Sequence, residues 1–149
     1  VAEIALPKIG DIITPEWGLL LCVHFGFDHL ARRIRENPGK YKPWRFDGVS
    51  CVPDMLLQPF VGNGHTWEDI TYKCALQHDL PYAYGEPGNE EEKQEADDKF
   101  RENLIIHAGM DEKLADIFEK MVETFGKEKF HRDYTWAFAL KEHYSAWAN

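Results

Sequence analysis

Residues 90–126 read EEEKQEADDKFRENLIIHAGMDEKLADIFEKMVETFG, and the recurrence of apolar residues in this stretch sets the fold class. Three glutamates open it, as the positive end of a helix dipole prefers, and a helix is predicted from Glu90 to His107. Gly109 breaks the pattern and Asp111 is placed to cap the next helix. In that helix Leu114, Ile117, Phe118, Met121, Val122 and Phe125 return at spacings of three and four, one apolar face closed by Gly126. Two helices in tandem with so short a joint imply helix-on-helix packing.

Working outward, Asp69 to about Tyr82 reads as another helix, with Ile70, Cys74 and His78 aligned and Pro81 expected to bend or end it. Farther upstream, Thr14 is an N-cap with Pro15 at the first helical position. Leu20, Val23, Phe27, Leu30 and Ile34 continue one stripe to Asn37, where Pro38-Gly39 stops it. The middle of this helix is apolar on nearly every side, which predicts a central position. Residues 1–14, with Pro7 and Gly10, read as an extended arm, and residues 38–65 as a long Pro/Gly-rich connection between helices 1 and 2. A last helix is predicted from about Lys129 to Trp147. The expected architecture is mainly α, about five helices in a single domain spanning 1–149. It divides into an N-terminal extension (1–45) with one helix, a core (46–126) and a C-terminal helix (127–149).

The 149 residues carry a formal net charge of −9. Without a surplus of Lys and Arg to neutralise phosphates, nonspecific nucleic-acid binding is not expected, nor electrostatic adhesion to anionic membranes. Cys22, Cys51 and Cys74 form no paired framework, which suits a reducing cytoplasm better than secretion. The longest apolar run, Leu19 to Phe27, is too short to span a bilayer, and no charged segment of the signal-peptide kind precedes it.

The chemistry-bearing stretch is His78-Asp79-Leu80-Pro81-Tyr82, followed by Asp97 on the next helix. Residues three and four apart share a helix face, so Ala75, His78, Asp79 and Tyr82 lie together. Asp97 is placed to take a hydrogen bond from one ring nitrogen of His78, fixing its tautomer and leaving the other nitrogen to deprotonate water. Tyr82 would donate its hydroxyl to Asp97, and Asp79 would offer oxygen to a hard cation. The bland alternative is a structural hydrogen bond between helices, with Tyr82 and Phe100 as core rings. Gly62-Asn63-Gly64-His65 reads either as a loop whose backbone approaches a ligand or as a turn into a helix capped by Thr66. Asp47 and Ser50 read as turn residues rather than members of a His78 cavity, His24 and Asp28 as a buried polar pair rather than metal ligands, Cys74 as a buried thiol rather than a nucleophile, and Glu90 to Lys93 as a solvated first turn.

The ordered set Asp47-Gly48-x-Ser50-x-x-Pro53, Ala75-x-x-His78-Asp79-x-x-Tyr82, Ala96-Asp97-x-x-Phe100 and Met121-Val122-x-x-Phe125-Gly126 resembles an uncharacterised bacterial and phage family known only as a domain of unknown function. That likeness spans roughly residues 46–126 and implies a shared fold and a phage or prophage setting. A more local similarity is to the active-site helices of phospholipase A2, through Cys74-x-x-x-His78-Asp79-x-x-Tyr82 and the later Asp97. It implies His78 as the base, Asp97 as its orienter supported by Tyr82, and Asp79 as a calcium ligand, with a glycine-rich loop at Gly62 and Gly64 completing the cation site. The paired cysteines of that family are absent, and Pro81 falls inside the motif. The chain is also similar to the all-helical HD-domain phosphohydrolases, in which His29 or His65 and Asp133 would join His78-Asp79 on a metal. The leading expectation is therefore a phospholipase A2-like, calcium-assisted hydrolase of a small-molecule or lipid ester, or a degenerate relative of one, bacterial or phage-encoded. The rival is a non-catalytic structural or interaction module, engaging a protein partner, in which the same residues form a buried polar network.

Overall fold

The computed structural model describes residues 4–46, 66, 68–86 and 88–125. Expectations for Asp47, Ser50, Gly62, Gly64, His65, Asp133 and the helix at 129–147 lie outside the described residues.

The described chain is mainly helical, with a two-stranded sheet of minimal size. Strand β1 (Ile12–Ile13) pairs antiparallel with β2 (Trp44–Arg45), Ile12 opposite Arg45 and Ile13 opposite Trp44. Helix α1 spans Pro15–His24 and α2 Asp28–Glu36. A π-helical segment, Asp69–Ala75, runs directly into α3, Leu76–Tyr84. Helices α4 (Glu90–Ala108) and α5 (Glu112–Phe125) follow.

The single helix expected from Pro15 to Asn37 is in fact two. Gly26 has φ +81, a left-handed conformation that costs glycine nothing. Its N–H donates to the Val23 carbonyl at 3.2 Å, and the Phe27 N–H donates to the Cys22 carbonyl at 2.8 Å. That pair of reversed bonds is the Schellman ending of a helix, after which α2 restarts at Asp28. The break rotates the predicted stripe: Leu30 and Ile34 are buried, whereas Leu20 is 57% and Val23 49% exposed. Nor is α1 the central helix. That place belongs to α3, where Leu76 and every residue from His78 to Tyr84 is buried.

Pro81 does not end α3, which continues three residues beyond it to Tyr84. Burial on all sides offsets the hydrogen bond the proline forgoes. The segment before α3 begins with a reciprocal cap, in which the Thr66 Oγ1 accepts from the Asp69 N–H at 3.1 Å and the Asp69 carboxylate accepts from the Thr66 N–H at 3.2 Å. The N-terminal arm is also folded rather than simply extended. It turns at Lys8–Asp11, and the Gly10 N–H donates to the Phe46 carbonyl at 2.7 Å, extending the sheet.

Helices α4 and α5 form an antiparallel pair, since Lys93 meets Glu123, Gln94 meets Glu119 and Arg101 meets Asp116. Phe100, Leu104 and Ala108 of α4 are buried with Ala115, Phe118 and Val122 of α5. Ile117, expected on the inner face, is instead exposed. Arg33 fastens the other side. Its guanidinium donates to the Tyr84 carbonyl at 2.7 Å and to both carboxylate oxygens of Glu92 at 2.8 and 3.2 Å. One planar fork thereby joins α2 to the end of α3 and the first turn of α4.

Candidate functional site

Where α3 crosses α4, three side chains from the two helices converge on the carboxylate of a fourth, Asp97. The Asp97 Oδ1 lies 2.9 Å from His78 Nε2 and accepts from the Tyr82 hydroxyl at 2.6 Å. Its Oδ2 accepts from Lys93 Nζ at 2.7 Å. The helical spacing of His78 and Tyr82 puts both on the α4 side of α3, and the spacing of Lys93 and Asp97 does the same on α4. Helix α5 completes the cluster through its backbone: the Val122 carbonyl lies 3.4 Å from the Tyr82 hydroxyl, and the Glu123 carbonyl 3.1 Å from Lys93 Nζ.

His78, Tyr82 and Asp97, predicted to meet, do meet. With Nε2 committed to Asp97, the Nδ1 edge of His78 is the one turned toward Asp79, whose carboxylate oxygen is 4.0 Å away. The imidazole is 4% exposed and lies against two rings, Tyr82 at 4.3 Å and Phe100 at 4.7 Å between centroids. Burial alone pushes the Asp97 carboxyl up, but the hydrogen bond and charge of His78, with the hydrogen bonds of Lys93 and Tyr82, carry it below its ordinary value.

Three expectations are revised. Glu90 and Glu91 are solvated, but Glu92 is held by Arg33, and Lys93 turns inward to Asp97. The i, i+4 spacing of Lys93 and Asp97 was the available signal for that pair, hidden by its resemblance to an exposed charge run. His24 and Asp28 are not a buried pair: the break at Gly26 places them on different helices, both exposed. His29, a ligand in the HD-domain comparison, is exposed on α2, whereas His78 and Asp79 are buried in α3. Cys74 is buried, as expected, and burial pushes its thiol up to about 12, away from the thiolate form.

Among the described residues no group of three or more His, Cys, Asp or Glu side chains is placed to hold a metal ion. Of the predicted calcium ligands Asp79, Gly62 and Gly64, only Asp79 lies within the described region. A cavity of about 220 Å³ is lined by Pro15, Leu19, Ile34 and Tyr41 among others, and by none of the predicted site residues.

Beside the dyad, sequence reasoning missed a carboxyl pair. Glu119 on α5 is hydrogen-bonded to Asp98 on α4, with Gln94 bridging them at 2.9 Å to Asp98 and 3.5 Å to Glu119. Burial first, then the bond and charge of Asp98 with the charges of Glu123 and Asp97, push Glu119 up to about 8. The folded state thus holds a proton that the unfolded chain releases near pH 4.3, so this contribution is complete below that value and is lost as pH rises through about 8. Glu119→Gln should keep the bridge to Asp98 without the charge. The expected result is an unchanged melting temperature at about pH 4 and a rise at pH 9 of about 2–4 °C, the shift that roughly 1 kcal/mol of partly screened repulsion produces in a chain of this size. Calorimetric scans at the two pH values check it; parallel curves for both proteins would remove the shared proton.

No family model, curated protein or solved structure matches the chain. Among the described residues no helix is long and apolar enough to cross a membrane.

Proposed function

We propose that the protein is an ester hydrolase of the phospholipase A2 type, in which His78 activates water. The observation that carries this reading is the engagement of Nε2 by Asp97 at 2.9 Å, with Asp97 itself fixed by Tyr82 and Lys93. An imidazole so held presents Nδ1 as the lone-pair nitrogen, the state a general base requires. The substrate is a small-molecule or lipid ester. Asp79 adjoins the Nδ1 edge and would hold calcium together with loop carbonyls at Gly62 and Gly64. A bound calcium would polarise the ester carbonyl. Asp97 and Tyr82 hold the ring in place through the reaction, and their positions need not change between steps.

The test is hydrolysis of a panel of fluorogenic esters and phospholipids, with and without calcium. Turnover should fall by about 10²–10⁴ in His78→Gln, the range for loss of a positioned base, and calcium dependence should vanish in Asp79→Asn. Equal turnover by wild type and His78→Gln would remove the base assignment.

A second reading draws on the near-complete burial of His78 between Tyr82 and Phe100. In it the cluster is a structural network that fixes how α3, α4 and α5 pack, within a module that binds a protein partner. Wild type would then be inactive on every ester, and His78→Gln would change stability alone.

A further inference from the structure

Lys93 is the member of the cluster that helix energetics do not explain. It is the fourth residue of α4, near the positive end of the helix dipole, where a cation is disfavoured. A lysine four residues before an aspartate is also the weaker orientation for a helical ion pair. Yet the side chain is 13% exposed and turned inward, donating to Asp97 Oδ2 at 2.7 Å and to the Glu123 carbonyl at 3.1 Å. Its Nζ stands 5.8 Å from the centre of the Tyr82 ring.

The division of labour on Asp97 indicates what Lys93 does there. Both His78 and Tyr82 use Oδ1, so those bonds leave the carboxylate plane free to swing about them. The terminal torsion of an aspartate is broad and does not lock itself. A charge-assisted bond on Oδ2 removes that freedom, and the same ammonium offsets a carboxylate that is 0% exposed.

We infer that Lys93 is a positioning residue, which fixes the Asp97 carboxylate so that His78 is held with its proton on Nε2 and its lone pair on Nδ1. The inference rests on the proposed role of His78, but its test does not require turnover. In nitrogen-15 NMR of the full chain, wild type should show the Nε2-protonated tautomer with a slowly exchanging ring proton. In Lys93→Met that proton should exchange with water at least about tenfold faster, as loss of one charge-assisted bond predicts, and the Nδ1-protonated tautomer should appear. Lys93→Arg should restore the wild-type signature. A folded Lys93→Met protein with unchanged tautomer and exchange rate overturns the inference; should that variant fail to fold, Lys93→Gln is read by the same criteria. Absence of ester turnover in wild type would count against the proposed function while leaving this readout intact.

Discussion

Replacing Asp97 with alanine should destabilise the fold by about 3–5 kcal/mol, the range for removing one partner of a buried charged pair. The size follows from what is left behind. Lys93 loses its carboxylate partner, and the Tyr82 hydroxyl and the His78 Nε2 lose their short bonds, all beneath a site that water barely reaches. Folded proteins have only about 5–15 kcal/mol in hand, so the variant should unfold at much lower urea. The pH dependence carries the sign. The Asp97 carboxyl is held below its ordinary value, so its contribution is present above the unfolded value of about 3.9 and is lost as pH falls through the lower folded value. Wild type should therefore lose stability more steeply than Asp97→Ala on acidification below about pH 4. Urea titrations at pH 7 and pH 3 measure both effects. A cost under about 1 kcal/mol, the scale of an exposed ion pair, would mean that the cluster is not a buried network.

Gly18→Ala should also destabilise, against the usual preference of helices. In an exposed helix interior alanine is favoured over glycine by about 1 kcal/mol. Here the added methyl would overlap the Tyr84 hydroxyl and sit 2.6 Å from its Cζ. Tyr84 cannot easily yield: it is fully buried, accepts from the Trp44 indole N–H at 3.0 Å and packs edge-on against Tyr41. Overpacking of that kind costs about 1–3 kcal/mol, occasionally more, and a displaced Tyr84 loses its indole bond for about 1 kcal/mol further. The net expectation is a loss of about 1–3 kcal/mol, since the lost indole bond and the gain in helix propensity roughly cancel. Tyr84→Phe removes the overlapping oxygen, so the double variant should be less unstable than the sum of the singles. Strict additivity would show that α1 and Tyr84 do not meet as described.

Helices α4 and α5 were legible because their apolar periodicity is interrupted by residues that stop helices, Gly109 between them above all. The meeting of His78, Tyr82 and Asp97 was legible too, since two of them share a face and the third lies in the following helix. The break between α1 and α2 was not: hydrophobic spacing runs across Gly26 without a flaw, and a lone glycine inside a helical pattern is an ambiguous signal. The central place of α3 was obscured by its own composition, because a segment holding Gln77, His78, Asp79 and Pro81 does not read as core. His78 is buried there against Asp97 and Phe100, which come from α4. The Arg33–Glu92 bond joins residues too distant in sequence for any local pattern to pair them. Lys93 was read as part of an acidic, solvated turn for the same reason, its second acceptor being a backbone carbonyl thirty positions later.

Two backbone carbonyls of α5 face the cluster: Val122 lies 3.4 Å from the Tyr82 hydroxyl, and Glu123 accepts from Lys93 Nζ at 3.1 Å. Local opening of α5 around these two carbonyls and disturbance around the imidazole are therefore coupled equilibria, each shifting the other by the same free energy. Amide exchange around Val122 and Glu123 thus becomes a remote gauge of events at His78, readable whatever the protein binds.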